Sequence, residues 1–166
     1  TSTEQGKKEK YHDWYQFNLK YENYFKRRGR IKFGMYFEFA TTDMPFFANY
    51  ISSVLNSPGF YPIQESKTIF LPSLHAHTFA GLGSKNFITL RNNIDVLLEG
   101  YVFQPYRELL PTPDNKTYYG EKFAKRYFVG SLGTVFQSPL GPIGFFVNYF
   151  DNRDKPFSFL FHFGYF

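Results

Sequence analysis

Apolar side chains return on every second residue through most of this chain, and that period of two constrains the fold more than any other feature. From Tyr11 the odd positions carry Tyr11, Tyr15, Phe17, Leu19, Tyr21 and Phe25, and the even ones carry His12, Gln16, Asn18, Lys20 and Glu22. Ile31, Phe33, Met35, Phe37 and Phe39 then alternate with Lys32, Gly34, Tyr36, Glu38 and Ala40. Near the end, Phe157, Phe159, Phe161, Phe163 and Tyr165 stand against Ser158, His162 and Gly164. Successive strand side chains point to opposite faces, so each segment reads as a strand with one apolar and one mainly polar face.

Seven strands are expected on this pattern, over 11–25, 31–40, 73–84, 88–103, 126–137, 143–150 and 157–165. In the third, Leu74, Ala76, Ala80 and Leu82 oppose His75, His77, Gly81 and Gly83, with Phe79 breaking the pattern on the polar side. The fourth sets Leu90, Ile94, Val96, Leu98 and Val102 against Arg91, Asn93, Asp95 and Glu99. The fifth sets Phe128, Leu132 and Phe136 against Val129, Ser131 and Gly133, and the sixth groups Ile143, Phe145, Val147 and Tyr149. Several of these segments exceed the roughly five or six residues usual in soluble proteins. They match the roughly 9 to 11 that a tilted membrane strand needs.

The connections alternate in length. KRRGR at 26–30, Lys85-Asn86 and SPLGP at 138–142 read as short turns, whereas 42–72 and 104–125 are long. Within the first long connection, 45–56 (PFFANYISSVLN) is expected to form a short helix ended by Ser57-Pro58-Gly59. With the chain's last residue placed on the periplasmic side, both long loops fall outside and every periplasmic turn is short, the outer-membrane barrel pattern. The same placement starts the chain outside with an odd strand count. The chain is therefore expected to be the C-terminal part of a larger barrel, with residues 1–10 a polar loop or linker and 11–166 the barrel portion.

Composition favours the membrane. Aromatics are 23% of the 166 residues, 23 Phe and 14 Tyr among them, yet a fifth of the chain is charged. Rings from seven strands would overfill a small barrel's interior, and turning them outward into lipid removes that conflict. Tyr11, Phe25, Tyr101, Phe103, Tyr149, Phe157 and Tyr165 near strand ends would supply interfacial girdles. No run approaches the roughly 18 to 20 apolar residues of a membrane helix, which leaves β-spans open. The first residues, TSTEQGKKEK, have no apolar core, so no signal peptide is expected within this chain. Cysteine is absent, and with it any disulfide framework or thiolate site.

Three segments carry a family resemblance: 66–83 (SKTIFLPSLHAHTFAGLG), 92–109 (NNIDVLLEGYVFQPYREL) and 127–166. The last contains QSPLGP, then a strand ending NYFDN, then the aromatic final strand. From about residue 30 onward the chain resembles the C-terminal barrel, of the BamA-like or bacterial surface antigen type, of Bacteroidetes patatin-like phospholipases. That resemblance implies an antiparallel transmembrane barrel of about sixteen strands, seven of them here. It also implies the bacterial outer membrane as location, with lipid and the barrel-assembly machinery as partners and the remaining strands or another copy closing the sheet. The full-length relative would be a serine lipid acyl hydrolase with a G-x-S-x-G elbow. Neither GSLGT at 130–134 nor GLGSK at 81–85 fits that elbow, so no catalytic residue is assigned and this chain is not expected to be an enzyme. The V-R-G-F/Y signature of protein-transporting relatives is also missing. A BamA-like transport or assembly barrel and a soluble lipocalin-like binding barrel are the alternatives. Phe166 falls out of phase with the apolar face, so the natural chain is expected to run further.

Other constellations point to no chemistry. His75 and His77 share a face and could offer two imidazoles to a metal, but no third ligand is evident, and a lumenal polar pair is the preferred account. Asp95 and Glu99 lie about 13 Å apart along a strand, too far for a carboxylate dyad, and ion pairs with Arg91, Lys32 or Lys20 are expected instead. Gly81, Gly83, Gly130 and Gly133 are read as easing strand curvature, since no helix follows to make a phosphate cradle. The rings form strand-long apolar faces away from the charges, which argues against nucleic acid as a partner. No metal, cofactor or cofactor-binding residue is assigned.

Overall fold

A computed structural model describes residues 13–91, 93–151 and 153–164. The period-two segments form a single antiparallel sheet of seven strands in the order β1-β2-β3-β4-β7-β8-β9. These are β1 (Gln16–Arg28), β2 (Ile31–Thr42), β3 (Thr78–Arg91), β4 (Ile94–Pro105), β7 (Tyr127–Ser138), β8 (Gly141–Phe150) and β9 (Phe157–Phe163). Between β4 and β7 the chain makes a separate two-stranded hairpin, β5 (Arg107–Pro111) with β6 (Thr117–Lys122). The large sheet is a meander with β1 and β9 as its edges, and among the described residues it does not close on itself. The expected linker at residues 1–10, and Tyr165 and Phe166, lie outside the described residues.

Short turns sit at one end of the sheet. Gly29, in the left-handed region at φ 63°, makes the β1–β2 turn with Arg30, and Pro139-Leu140 makes the β7–β8 turn. Strand β3 runs to Arg91 and β4 begins at Ile94, so the expected turn at Lys85-Asn86 is wrong: both residues lie inside β3. The reason is a register irregularity between Thr89 and Arg91. A two-residue turn alone reverses the phase of alternation, and the extra residue of a bulge restores it. Even-numbered apolar residues thus continue in phase from Ile88 and Leu90 into Ile94, Val96 and Leu98, and the turn leaves no trace in the period. The strand expected over 73–84 accordingly begins only at Thr78, because Pro72–Leu74 forms a 3-10 turn that carries the chain off the sheet.

The long connections behave less like loops than expected. Residues 43–77 hold a helix, α1 (Tyr50–Asn56), shorter than the expected 45–56. Asn49 caps it, its side chain accepting from the Ser52 amide at 2.8 Å, and Ser57 ends it just before Pro58-Gly59. A second 3-10 turn, Glu65–Lys67, follows. The long loop expected over 104–125 starts only after Pro105 and holds the β5–β6 hairpin, closed by Thr112-Pro113-Asp114-Asn115 with Asn115 at positive φ.

The core lies against one face of the sheet. Tyr36 and Ala40 from β2, Phe79 from β3, Tyr101 and Phe103 from β4, and Val129 and Phe150 from β7 and β8 are buried there. Residues 57–77 cover them, contributing Phe60, Ile63, Leu71, Leu74 and Ala76. Phe60 is wholly buried, stacked on Phe103 with centroids 5.3 Å apart and edge-on to Tyr36 and Phe79. Phe79, which broke the sequence pattern, is one of the rings that holds this connection down.

Candidate functional site

The outer face of the sheet is apolar and open, although the core already occupies the inner one. The covered, inner face carries Tyr36, Glu38, Lys85, Glu99, Tyr101, Ser131 and Asn148, whereas the open, outer face carries the apolar series read from the sequence. Phe17, Leu19, Phe33, Leu82, Leu98, Phe128, Leu132 and Phe145 are about half exposed, and on β9 Phe159 reaches 70%. The buried face thus mixes a ring-rich core with Glu38, Glu99, Ser131 and Asn148, and the exposed face carries rings and leucines. A contiguous exposed apolar surface of this extent marks a surface made to contact something other than water.

Polar groups on the inner face are paired. Lys85 bridges Glu22 at 3.2 Å and Glu99 at 3.6 Å, linking β1, β3 and β4. Glu99 was expected to pair with Arg91, Lys32 or Lys20. Its partner is Lys85, which the misplaced turn had removed from consideration. Lys20 instead lies over the Tyr36 ring, 5.0 Å from its centroid. Asp95 accepts from the Thr89 hydroxyl at 2.8 Å. The Tyr36 hydroxyl donates to Glu38. Glu65, buried in the covering connection, accepts from Asn148 on β8 at 2.6 Å and from Ser158 on β9. Residues 57–77 therefore span the inner face from β2 to β9. Beneath Glu65 and Lys67 a cavity of about 320 Å³ remains, with Lys85, Glu99, Phe87 and Phe146 on its walls.

Of Gly81, Gly83, Gly130 and Gly133, three make room for inner-face rings, a role the sequence reading did not assign. A Cβ at Gly81 would lie 2.2 Å from the Phe60 ring, one at Gly83 2.1 Å from Tyr101, and one at Gly133 2.1 Å from Phe146. Gly130 alone of the four has no such close approach, its nearest neighbour being the Glu99 carbonyl at 3.6 Å.

His75 and His77 both point inward and are buried, but each has separate business. His75 meets the Tyr61 hydroxyl through Nε2 at 3.0 Å and the Ser57 carbonyl through Nδ1 at 3.2 Å. His77 meets the Tyr119 hydroxyl through Nδ1 at 2.6 Å. Burial holds both imidazoles below the ordinary histidine range, partly offset at His75 by its backbone hydrogen bonds. No group of three or more potential metal ligands occurs among the described residues. Tyr119 belongs to a hairpin that the sequence reading took for loop, so its approach to His77 was missed.

No helix of the described residues is long and apolar enough to cross a membrane, which bears only on helical spans. What remains is an antiparallel sheet with strands of up to 14 residues, an apolar open outer face and an inner face of rings and paired polar groups crossed by its own connection. Comparison of the chain with protein-family models, curated proteins and solved structures finds no match.

Proposed function

We propose that this chain is a membrane-embedded portion of an outer-membrane β-barrel that anchors a patatin-like lipid hydrolase, the hydrolase domain lying outside the chain. The observation that carries the membrane reading is the open apolar outer face, on the side of the sheet away from the core. A soluble lipocalin-like barrel turns its apolar faces to its own interior. Here those faces are open, and the inner face holds Glu38, Glu99 and Asn148. Lipid against Phe33, Leu82, Leu98, Leu132 and Phe145 supplies the missing apolar contact, each half-exposed side chain gaining about half of the 1.5–3 kcal/mol of full burial. The hydrogen-bond ladder satisfies the backbone within the bilayer, and closure with further strands removes the two edges. Six of the seven strands have 10 to 14 residues, enough for a tilted crossing. The hydrolase part of the reading rests on the sequence resemblance. Occupation of the inner face by residues 57–77 favours an anchor over a transport passage.

The test is partition. The chain is expected to float with phospholipid vesicles after an alkaline carbonate wash, and brominated lipids should quench its single tryptophan, Trp14, which is half exposed beside β1. A chain that stays monodisperse in detergent-free buffer with unquenched Trp14 refutes the membrane reading. A G-x-S-x-G domain upstream in the same reading frame supports the hydrolase reading, and repeated periplasmic domains in its place refute it.

A further inference from the structure

A second, smaller cavity of about 230 Å³ opens where the long connections leave the sheet, lined by Thr42, His77, Thr78, Tyr106, Arg107 and Tyr119. Its walls are built by the sheet and the hairpin together. The Thr42 amide donates to the His77 carbonyl at 2.8 Å, and the Tyr106 amide to the Thr78 carbonyl at 2.9 Å. Arg107 begins β5 opposite Lys122 of β6. Its guanidinium lies 5.7 Å from the centroids of both Tyr106 and Tyr119, and the Lys122 ammonium lies 5.5 Å from Tyr106. Two rings thus hold one cation between them and place a second beside it. The His77 ring is fixed as well, packed by Phe46 at 5.2 Å and tied to the Tyr119 hydroxyl.

Two atoms here are buried without a hydrogen-bond partner among the described residues: Nε2 of His77, whose residue is 4% exposed, and Nε of Arg107. In the tautomer where the Tyr119 hydroxyl donates to Nδ1, the ring proton sits on Nε2 and both unpartnered atoms are N–H donors, and it is this tautomer that the proposal requires. Unsatisfied buried donors are rare and costly, and they ask for an acceptor. No carboxylate lines the cavity among the described residues. Its acidic neighbours are engaged elsewhere, Asp43 accepting from the Tyr15 amide and Glu108 from the Tyr127 hydroxyl.

The geometry points to a binding site for a phosphate-type oxyanion, held by the His77 and Arg107 N–H groups with the Lys122 charge alongside. The planar guanidinium suits a tetrahedral oxyanion, and charge-assisted bonds of this kind are the strong ones. The site stands independently of the membrane reading, since His77, Arg107 and Lys122 all lie off the seven-stranded sheet. The anion has two sources of the same chemistry, a free phosphate or a lipid headgroup phosphate.

Titration with inorganic phosphate, in whatever medium keeps the protein monodisperse, is expected to shift the imidazole nitrogen resonances of His77 and leave those of His162 in place. Arg107→Met should weaken phosphate at least about tenfold, and Tyr119→Phe, which frees the imidazole, at least about threefold, with far-UV circular dichroism unchanged. Phosphatidic acid presented in phosphatidylcholine micelles distinguishes the sources: binding about tenfold tighter than inorganic phosphate assigns a headgroup, and similar affinity assigns the free ion. Either result upholds the site. If neither probe moves His77, or if both variants bind phosphate as the parent does, the assignment is overturned.

Discussion

Replacing Phe60 by alanine tests whether residues 57–77 are packed onto the inner face or merely lie near it. The ring is wholly buried among Tyr36, Phe79, Tyr101 and Phe103. Strand backbone forms the floor of its site, since a Cβ at Gly81 would sit 2.2 Å from the ring. That floor belongs to a hydrogen-bonded ladder and cannot collapse into the void. The loss should therefore fall within the usual range for a buried Phe→Ala, about 3–5 kcal/mol. The connection alone must open to free the ring, so most of that loss appears as local opening. At 1.4 kcal/mol per tenfold, about 3 kcal/mol raises the open population about a hundredfold. Lys67 sits in the 3-10 turn of the same connection with its side chain exposed, and trypsin needs the local backbone released to cut there. Where reclosing outruns cleavage, the cutting rate follows the open population. Phe60→Ala should then be cut at Lys67 at least about thirtyfold faster, while Phe47→Ala, whose residue is nearly half exposed and outside the core, should change far less. Acceleration of less than about threefold in Phe60→Ala would refute the packing argument.

Two further outcomes are expected. Phe37 lies mid-strand on the outer face between Tyr21 of β1 and Leu82 of β3, so Phe37→Arg should cost about 2–4 kcal/mol in urea-dependent folding into vesicles if that face meets lipid near mid-bilayer. An unchanged midpoint would mean that this face is not in lipid. Acid should loosen the covering connection, because burial lowers the proton affinity of His75 and His77 and the opened chain binds more protons than the docked one. Their contribution is complete above the ordinary histidine value of about 6.5 and is lost as pH falls below it. Amide exchange in residues 57–77, corrected for intrinsic rate, should be faster at pH 5.5 than at pH 7.5, and His75→Gln should reduce the difference. Equal protection at both pH values in the parent protein would contradict this.

Strand existence and facing were legible because lipid-like or core-like contact imposes the same period of two, and seven segments carried it. What the period could not carry was position along the strand. The bulge between Thr89 and Arg91 kept Ile88, Leu90, Ile94 and Val96 in phase, so a turn between them left no mark. Lys85 was consequently placed in a turn, and the bridge from Glu22 through Lys85 to Glu99 went unforeseen. The covering connection was illegible for another reason. Phe60 and Glu65 gain their meaning from Phe103, Asn148 and Ser158, residues 40 or more positions away, and no local pattern announces such pairings. The hairpin at Arg107–Pro111 and Thr117–Lys122 was hidden by brevity, and the oxyanion cavity was hidden with it.

The two anchor points of residues 57–77 also impose an order in time. Phe60 needs only β2, β3 and β4, so it can seat once the chain has reached about Phe103. Glu65 must wait for Asn148 and Ser158, which lie 83 and 93 residues further along. Contacts of such separation are late to form, because the intervening loop must first be closed. The connection is therefore half-fastened early and fully fastened only when the last hairpin has arrived, and its locking dates the completion of the sheet.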